Sequence, residues 1–585
     1  MFRNNAVTVV VGSMCALLAE PAWAGGPAVT YRVVAKTGDP APGGGNFTEF
    51  GIPRMNEQGE VSFQADTSAV LFSSGIWSEG VGGPGALAQV VREGAAVPGS
   101  GGTLFFGDFT ESNFTFFGPE INDRGSVVFG YRILGAGVDP NHSIGIARQV
   151  NGTLQNVARP LQLAPGLGGA TFLDILNIVN FSDNDEVGLV IDLTGPGINA
   201  SNDETIWRSN ANGTFNLVMR EGAAVPGQPG STYPGTGLVL PQVNDVGELS
   251  WVSYLNTPGG NLWTLLRGAP GSPTIVAQEG QQTPLGPGTA FEGGLFSFGQ
   301  HSINNSGHTL FPQYATIAGQ SKLGIWRRLG GVLQAVAVDG QPTPIGNFYT
   351  FLDGFTGGLG KDGRVAFRGR ATTGGSITDD NNSALFMRFA NGATQVIARE
   401  GEPAPGLLFG ATYDQLDQGI TAEFVNDRGQ VCYNGLVRGV GVTAGTNYCL
   451  WGTRLISGPT LMLREGQVFE AAPGDFRLVS DFRFIFGSGT ESGDRTAFNR
   501  LGQVAMRLEF SNGTEAIVVA TLQDECFGDI DGDLDIDFAD LNILLGFFNM
   551  QVGTGLNGDL DLDGDVDFAD LNLLLSVFNT NCVPM

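Results

Sequence analysis

The chain is poor in the residues from which most catalytic sites are built. Only three histidines (His142, His301 and His308) and five cysteines serve 585 residues. No H-E-x-x-H, G-x-S-x-G, phosphate-binding loop or Cys/His cluster occurs, which removes the common metalloprotease, serine-hydrolase, P-loop and zinc-finger chemistries. Basic residues are scarce too, 30 Lys and Arg against 58 Asp and Glu. The resulting net charge of −28 argues against nucleic acid and anionic membrane as partners. Beyond the first 24 residues no apolar run is long enough to span a bilayer. Long helical periods are also missing from the body, while glycine, at 90 residues, exceeds twice its average share and points to many tight turns.

The first residues read as an export signal. Arg3 supplies a positive start, residues 6–19 an apolar stretch, and Ala22-Trp23-Ala24 a small-residue cleavage site. This reading predicts a signal peptide at 1–24 and a secreted or cell-surface protein. Four cysteines then remain, and an even number in an exported chain predicts two disulfides. Cys526 and Cys582 bracket an acidic C-terminal region, so they are expected to pair, and Cys432 with Cys449 follows by elimination.

Between 25 and 523 one pattern recurs. Its first part, N-x-x-G-x-V-x-F, begins at Asn56, Asn122, Asn244, Asn304, Asn426 and Asn499, with degenerate copies at Asp183 and Gly360. Asn bonds its own backbone and Gly accepts positive φ, so each copy predicts a tight turn; the alternation after it predicts a half-buried strand. A Trp or aromatic strand follows, as in "GIWSEG" from Gly75. Each unit closes on an apolar strand ending in a charged turn, as in "VVREGAAVPG" from Val90. Eight such units cannot each bury a core alone and must stack or close. The chain enters midway through a unit at 29–38 and leaves with the opening part of one at 499–522. The first strand therefore fits the last unit, and the expectation is a mainly β fold with an eight-bladed β-propeller body. A β-solenoid and a row of small sheets are the alternatives. Four units carry "REG" (Arg92-Glu93, Arg220-Glu221, Arg399-Glu400, Arg464-Glu465), expected as turn-side ion pairs, or as a charged ring on one face for a polyvalent or carbohydrate ligand. His301 and His308 flank one turn and are expected at the surface.

Over residues 28–523 these copies resemble the bacterial tandem-repeat family named for its NxxGxxxF motif, whose members pair an exported repetitive body with varied C-terminal modules. That resemblance implies no known activity. The motif asparagines are expected to form turns rather than a binding constellation.

From 524 onward the chain holds fourteen acidic residues and no Lys or Arg, half of the net charge. "DIDGDLDIDFAD" from Asp529 and "DLDLDGDVDFAD" from Asp559 place carboxylates at positions 1, 3, 5, 9 and 12 of a twelve-residue calcium loop, with position 7 offering its carbonyl. The expected ligands are Asp529, Asp531, Asp533, Asp535, Asp537 and Asp540, then Asp559, Asp561, Asp563, Asp565, Asp567 and Asp570, for two Ca2+ ions. Leu534 stands at position 6 of the first loop, where the second has Gly564. Leu541, Leu544, Leu545 and Phe548, and then Leu571, Leu574, Leu575 and Phe578, have helical spacing and predict an apolar helix face after each loop.

This duplicated loop and helix resembles a type I dockerin over 526–582. The resemblance implies a small all-α domain, here 524–585, docking onto a cohesin-like receptor through positions 10 and 11 of each loop: Phe538, Ala539, Phe568 and Ala569. Two functions of different class follow. In the first, a non-catalytic binding or structural body is anchored outside the cell by a calcium-dependent module. In the second, a glycoside hydrolase or lyase acts on polysaccharide or surface glycan within a cohesin–dockerin assembly.

Overall fold

The Asn-Gly turns form as their spacing requires. Asn56 Oδ1 accepts from the backbone N–H groups of Gln58 (3.1 Å) and Glu60 (2.9 Å), and Gly59 sits at φ +77°. Asn122, Asn244, Asn304, Asn426 and Asn499 each accept from the N–H four residues on. The left-handed position is glycine in seven copies and Asp185, at φ +60°, in the eighth. That eighth copy begins one residue earlier than expected. Ser182 opens it, and its hydroxyl accepts from Asn184 (3.3 Å) and Glu186 (3.2 Å) in place of the asparagine amide.

The computed structural model describes residues 28–69, 71–107, 118–234, 239–294, 301–352, 358–407, 410–414, 416, 423–454, 458–485, 497–523, 528–530, 535–552, 558–560 and 565–581. The expected signal at 1–24 lies outside them, as do Cys526 and Cys582. Eight antiparallel sheets of four or five strands follow one another in sequence. We number them as blades: 47–92, 104–158, 171–220, 239–278, 289–338, 349–399, 412–464 and 468–522. Blade 8 is completed by the N-terminal strand Val29–Lys36, which pairs antiparallel with Glu515–Leu522 in a register running from Val29↔Leu522 to Lys36↔Ala516.

Apolar packing decides between a ring and a row. Eight buried clusters occur in this body, and each joins two consecutive blades. In one of them Ala505, Ile517 and Val519 of blade 8 meet Phe47, Phe63 and Trp77 of blade 1. An open row of eight sheets has seven seams. The solenoid and separate-sheet alternatives are thereby set aside, and the body is an eight-bladed β-propeller.

Two polar devices repeat at the seams. The motif asparagines, bonded within their own turns through Oδ1, donate Nδ2 to the next blade's turn. Asn56 reaches Asn122 O (2.9 Å), Asn122 reaches Ser182 O (2.9 Å), and Asn499 closes the circle on Asn56 O (3.1 Å). Asn244, Asn304 and Asn426 do the same, while Ser182 and Gly360 hold the two positions without the amide. A buried or half-buried arginine at the end of an aromatic strand then caps the next turn: Arg208 donates to Gly247 O, Arg267 to Gly307 O and Arg327 to Gly363 O. The REG residues also serve the backbone. Arg220, Arg399 and Arg464 each donate Nε to the carbonyl eighteen residues earlier, and Glu221 and Glu400 accept N–H groups from the same segments.

The expected Cys432–Cys449 disulfide does not form, and both are free buried thiols. They lie on paired strands of blade 7, but Cys432 faces Gly452 and Cys449 faces Gly435 across the ladder. The offset of three residues sends the side chains to opposite faces of the sheet. Cys432 packs toward blade 8 and Cys449 toward blade 6. His301 is likewise buried, at 4% exposed, rather than on the surface, and burial lowers the pKa of its half-buried neighbour in the motif, His308.

The C-terminal unit is two loop-helix halves, with α1 at Phe538–Gly546 and α2 at Phe568–Val577. It is not purely helical. Asp535–Ile536 pairs with Thr580–Asn581, and Asp565–Val566 with Met550–Gln551, so each loop pairs with the segment after the other helix. Ile536, Leu544, Val566 and Leu574 form its core. Leu545 and Leu575 point outward, 49% and 51% exposed, contrary to the expected helix face.

Replacing Asn56 by Ala removes the acceptor of two N–H groups and one inter-blade donor at once. The expected loss is about 1–3 kcal/mol in urea denaturation, with Asn56→Asp, which keeps the acceptor, losing less. Alkylation after denaturation without reductant is expected to label both Cys432 and Cys449.

Candidate functional site

Each acidic loop runs directly into its helix, and the last two carboxylates cap it. Asp537 Oδ1 accepts from Ala539 N (2.6 Å), while Asp540 Oδ2 accepts from Asp537 N (2.8 Å), a reciprocal capping box. Asp540 Oδ1 also accepts from Ile530 N at 2.5 Å, so one buried carboxylate ties the loop's start to its end. The second half repeats this: Ala569 N to Asp567 Oδ1 (2.6 Å), Asp567 N to Asp570 Oδ2 (2.7 Å) and Leu560 N to Asp570 Oδ1 (2.6 Å).

This folding brings three carboxylates of each loop together. One oxygen from each of Asp535, Asp537 and Asp540 lies within 4.8 Å of the others, and Asp565, Asp567 and Asp570 match them. An all-oxygen set of that span suits a hard divalent cation with metal–oxygen distances near 2.4 Å. Asp559 at position 1 is 2% exposed, and Asp529 is its half-buried counterpart. Asp531, Asp533, Asp561 and Asp563, together with Leu534 and Gly564 at position 6, lie outside the described residues. The sequence reading passed over position 8, where Ile536 and Val566 (1% and 0% exposed) anchor the loops in the core.

Phe538 and Phe568 open the two helices and are each 68% exposed, with Ala539 and Ala569 beside them. Their rings are held across the pseudo-twofold. Phe538 meets Phe578 edge-on at 5.1 Å, and Phe568 meets Phe548 at 5.0 Å. Two equivalent apolar faces, each beside an acidic triad, are thus displayed together.

A second acidic group, in blade 3, depends on strand register. Asp174, Asp192 and Glu204 stand directly opposite one another on three adjacent strands. Like charges in cross-strand pairs oppose each other. Burial, reinforced by Asp203 and Asp174, raises Asp192 to about 6. Burial with Asp192, Glu221 and Asp203 raises Glu204 to about 7. His142 of blade 2 bonds Asp174 through Nδ1 at 2.8 Å, and this hydrogen bond raises its pKa. Neighbours such as "LVIDLT" and "DETIW" carry the residues but not the pairing, so only the ladder reveals the trio.

Residues 23–264 and 260–523 each match the profile of a family of unknown function (DUF7453). The chain belongs to that family. The two matches meet inside blade 4, at the strand Gly260–Gly268, so the family profile spans about half a ring. No curated protein matches the chain. Among solved structures, prolyl oligopeptidase B from Galerina marginata is 10% identical over 81% of this chain and 55% of its own, with a TM-score of 0.33. This chain thus spans about half the length of that protein. The polysaccharide lyase Uly1 is 10% identical over 68% of this chain and 88% of its own, TM-score 0.29. A PL25 ulvan lyase is 10% identical over 79% and 97%, TM-score 0.27. Likeness at this level leaves function to the chain's own residues.

The blade 3 trio sets a direction for stability against pH. A carboxyl whose folded pKa is raised costs stability above that pKa and ceases to do so below its unfolded value. Stability is therefore expected to rise as pH falls from about 7 toward 4.5. Glu204→Gln is expected to be more stable than the parent at pH 8 and to flatten this dependence in thermal melts.

Proposed function

We propose that the protein is an exported binding or structural propeller, held outside the cell by a calcium-dependent docking module of dockerin type at its C-terminus. The observation that carries this reading is the duplicated, capped loop-helix unit, which sets an exposed phenylalanine beside each acidic triad. Calcium suits the loops because their donors are all oxygens at the spacing of a twelve-residue loop. The ion offsets repulsion among carboxylates crowded into each half and so couples binding to folding. Phe538, Ala539, Phe568 and Ala569 then form two interchangeable apolar contacts for a cohesin-like receptor. Two Phe-Ala faces without hydroxyls favour a receptor surface that is itself apolar.

The body binds in this reading rather than catalyses, with a polysaccharide or surface glycan as its natural ligand class. One observation favours the enzymatic alternative. Asp192 and Glu204 are paired carboxyls whose pKa values are raised toward neutrality, on adjacent strands. Directly opposed residues on adjacent strands have Cβ atoms about 4.5–5.5 Å apart, which keeps the two carboxyls near enough to act on one bond. Sugar release from a polysaccharide panel that disappears in Glu204→Gln would establish that second reading.

Calorimetric titration of the full chain is expected to show two calcium ions per molecule, both lost in Asp540→Ala/Asp570→Ala. Retention on immobilised cohesin domains is expected in calcium but not in chelator, and is expected to be lost in Phe538→Ser/Phe568→Ser while calcium binding persists. A chain that takes up no calcium would sink the proposal.

A further inference from the structure

The two halves of the C-terminal unit hold each other's loops. Asn549 follows α1, and its N–H donates to the carbonyl of Val566, position 8 of the second loop, at 2.7 Å. Asn579 follows α2, and its N–H donates to the carbonyl of Ile536, position 8 of the first loop, at 2.6 Å. Both asparagines stand in the left-handed region, at φ +60° and +61°, which Asn enters more readily than other residues that carry a Cβ. The short ladders extend these contacts: Met550–Gln551 runs along Asp565–Val566, and Thr580–Asn581 along Asp535–Ile536. Gln551 also donates Nε2 to Asp565 Oδ2 at 2.9 Å.

The contacts fall where a cation would feel them. Position 8 lies between two members of each acidic triad, Asp535 and Asp537 in the first loop, Asp565 and Asp567 in the second. Ile536 and Val566 are also buried with Leu544 and Leu574 in one core built from both halves. Position 10 crosses over as well, with Phe538 against Phe578 and Phe568 against Phe548. Within its own half, each loop meets its helix through a capping box, Asp537 and Asp540 on α1, Asp567 and Asp570 on α2. A path thus runs from one loop, through its own helix, to the asparagine after that helix and on to the other loop. A second path returns.

We propose that Asn549 and Asn579 are positioning residues for the calcium loop of the opposite half, and that the two ions therefore bind with positive cooperativity. This rests on the calcium reading of the loops given above. An ion in the first loop holds Asp537 and Asp540 in place and so fixes the start of α1. The ordered helix then presents Asn549 and Gln551 to the second loop, and part of the cost of ordering that loop is met before its own ion arrives. The second loop acts on the first in the same way through α2 and Asn579. The unit accordingly responds to calcium over a narrow concentration range rather than in two separate steps.

The test is calorimetric titration of the full chain with calcium, and the parent is expected to show a Hill coefficient above one. In a chain whose second loop is silenced by Asp570→Ala, Asn579→Val is expected to weaken binding at the first loop about tenfold, and Asn549→Val far less. With Asp540→Ala silencing the first loop instead, the two variants exchange effects. Valine is strained at this φ, whereas Asn549→Gly and Asn579→Gly adopt it, keep the N–H and are expected to retain parental affinity. General unfolding would not pick out the far loop. If a single-loop chain binds too weakly to titrate, coupling is at its limit, and either valine variant of the parent is then expected to raise the calcium midpoint for both ions. No uptake by the parent would remove the calcium reading itself. Two ions bound with a Hill coefficient of one, or valine variants that weaken the loop of their own half, would overturn the cross-positioning and leave the loops as calcium sites.

Discussion

A propeller of this size depends on one seam being as good as the other seven. No blade can bury a core by itself, since each sheet is apolar on both faces and finishes only against its neighbours. The eighth interface, where Ala505, Ile517 and Val519 meet Phe47, Phe63 and Trp77, converts a row of sheets into a ring in which the apolar faces of the first and last blades cover each other. The strand Val29–Lys36 makes that possible, because it supplies blade 8 with its last strand from the opposite terminus. Without it, apolar faces on blades 1 and 8 would both meet water.

The motif's economy lies in using one asparagine for two tasks. Its carbonyl oxygen shapes the local turn, and its amide nitrogen ties that turn to the next blade. An aspartate would serve the first task and fail the second, which gives a physical reason for asparagine at six of the eight positions. Where the side chain is lost, at Gly360, Asn304 of the preceding blade still donates to the Gly360 carbonyl. The backbone alone can receive a staple, but it cannot pass one on.

Much of this architecture was legible in the sequence, because turn chemistry and alternation are local. The Asn-to-Gly spacing predicts each turn, and the half-units at the ends predict the closing strand. The free cysteines were not legible, since Cys432 and Cys449 look like neighbours until the register sends them to opposite faces. The buried His301 and the outward Leu545 and Leu575 were missed for a related reason: motif spacing says which residues recur, but packing decides which way they face. In the acidic unit the duplicated carboxylate spacing was readable from the sequence, and the fold brings Asp535, Asp537 and Asp540, and Asp565, Asp567 and Asp570, together. The short ladders joining each loop to the far helix were not, because two-residue strands leave no pattern.

The closing strand has one more consequence, for the order in which the molecule can be built. Gln523 reaches back to Thr30, and Asn499 to Asn56, across nearly the whole body. While a ribosome is still making the middle blades, the leading strand has no partner and its apolar face stays open. The final zip must wait until almost every residue of the body has been synthesised. Assembly thus starts with locally formed hairpins and ends in a single long-range event, and a nascent chain spends most of its synthesis exposed to mispairing.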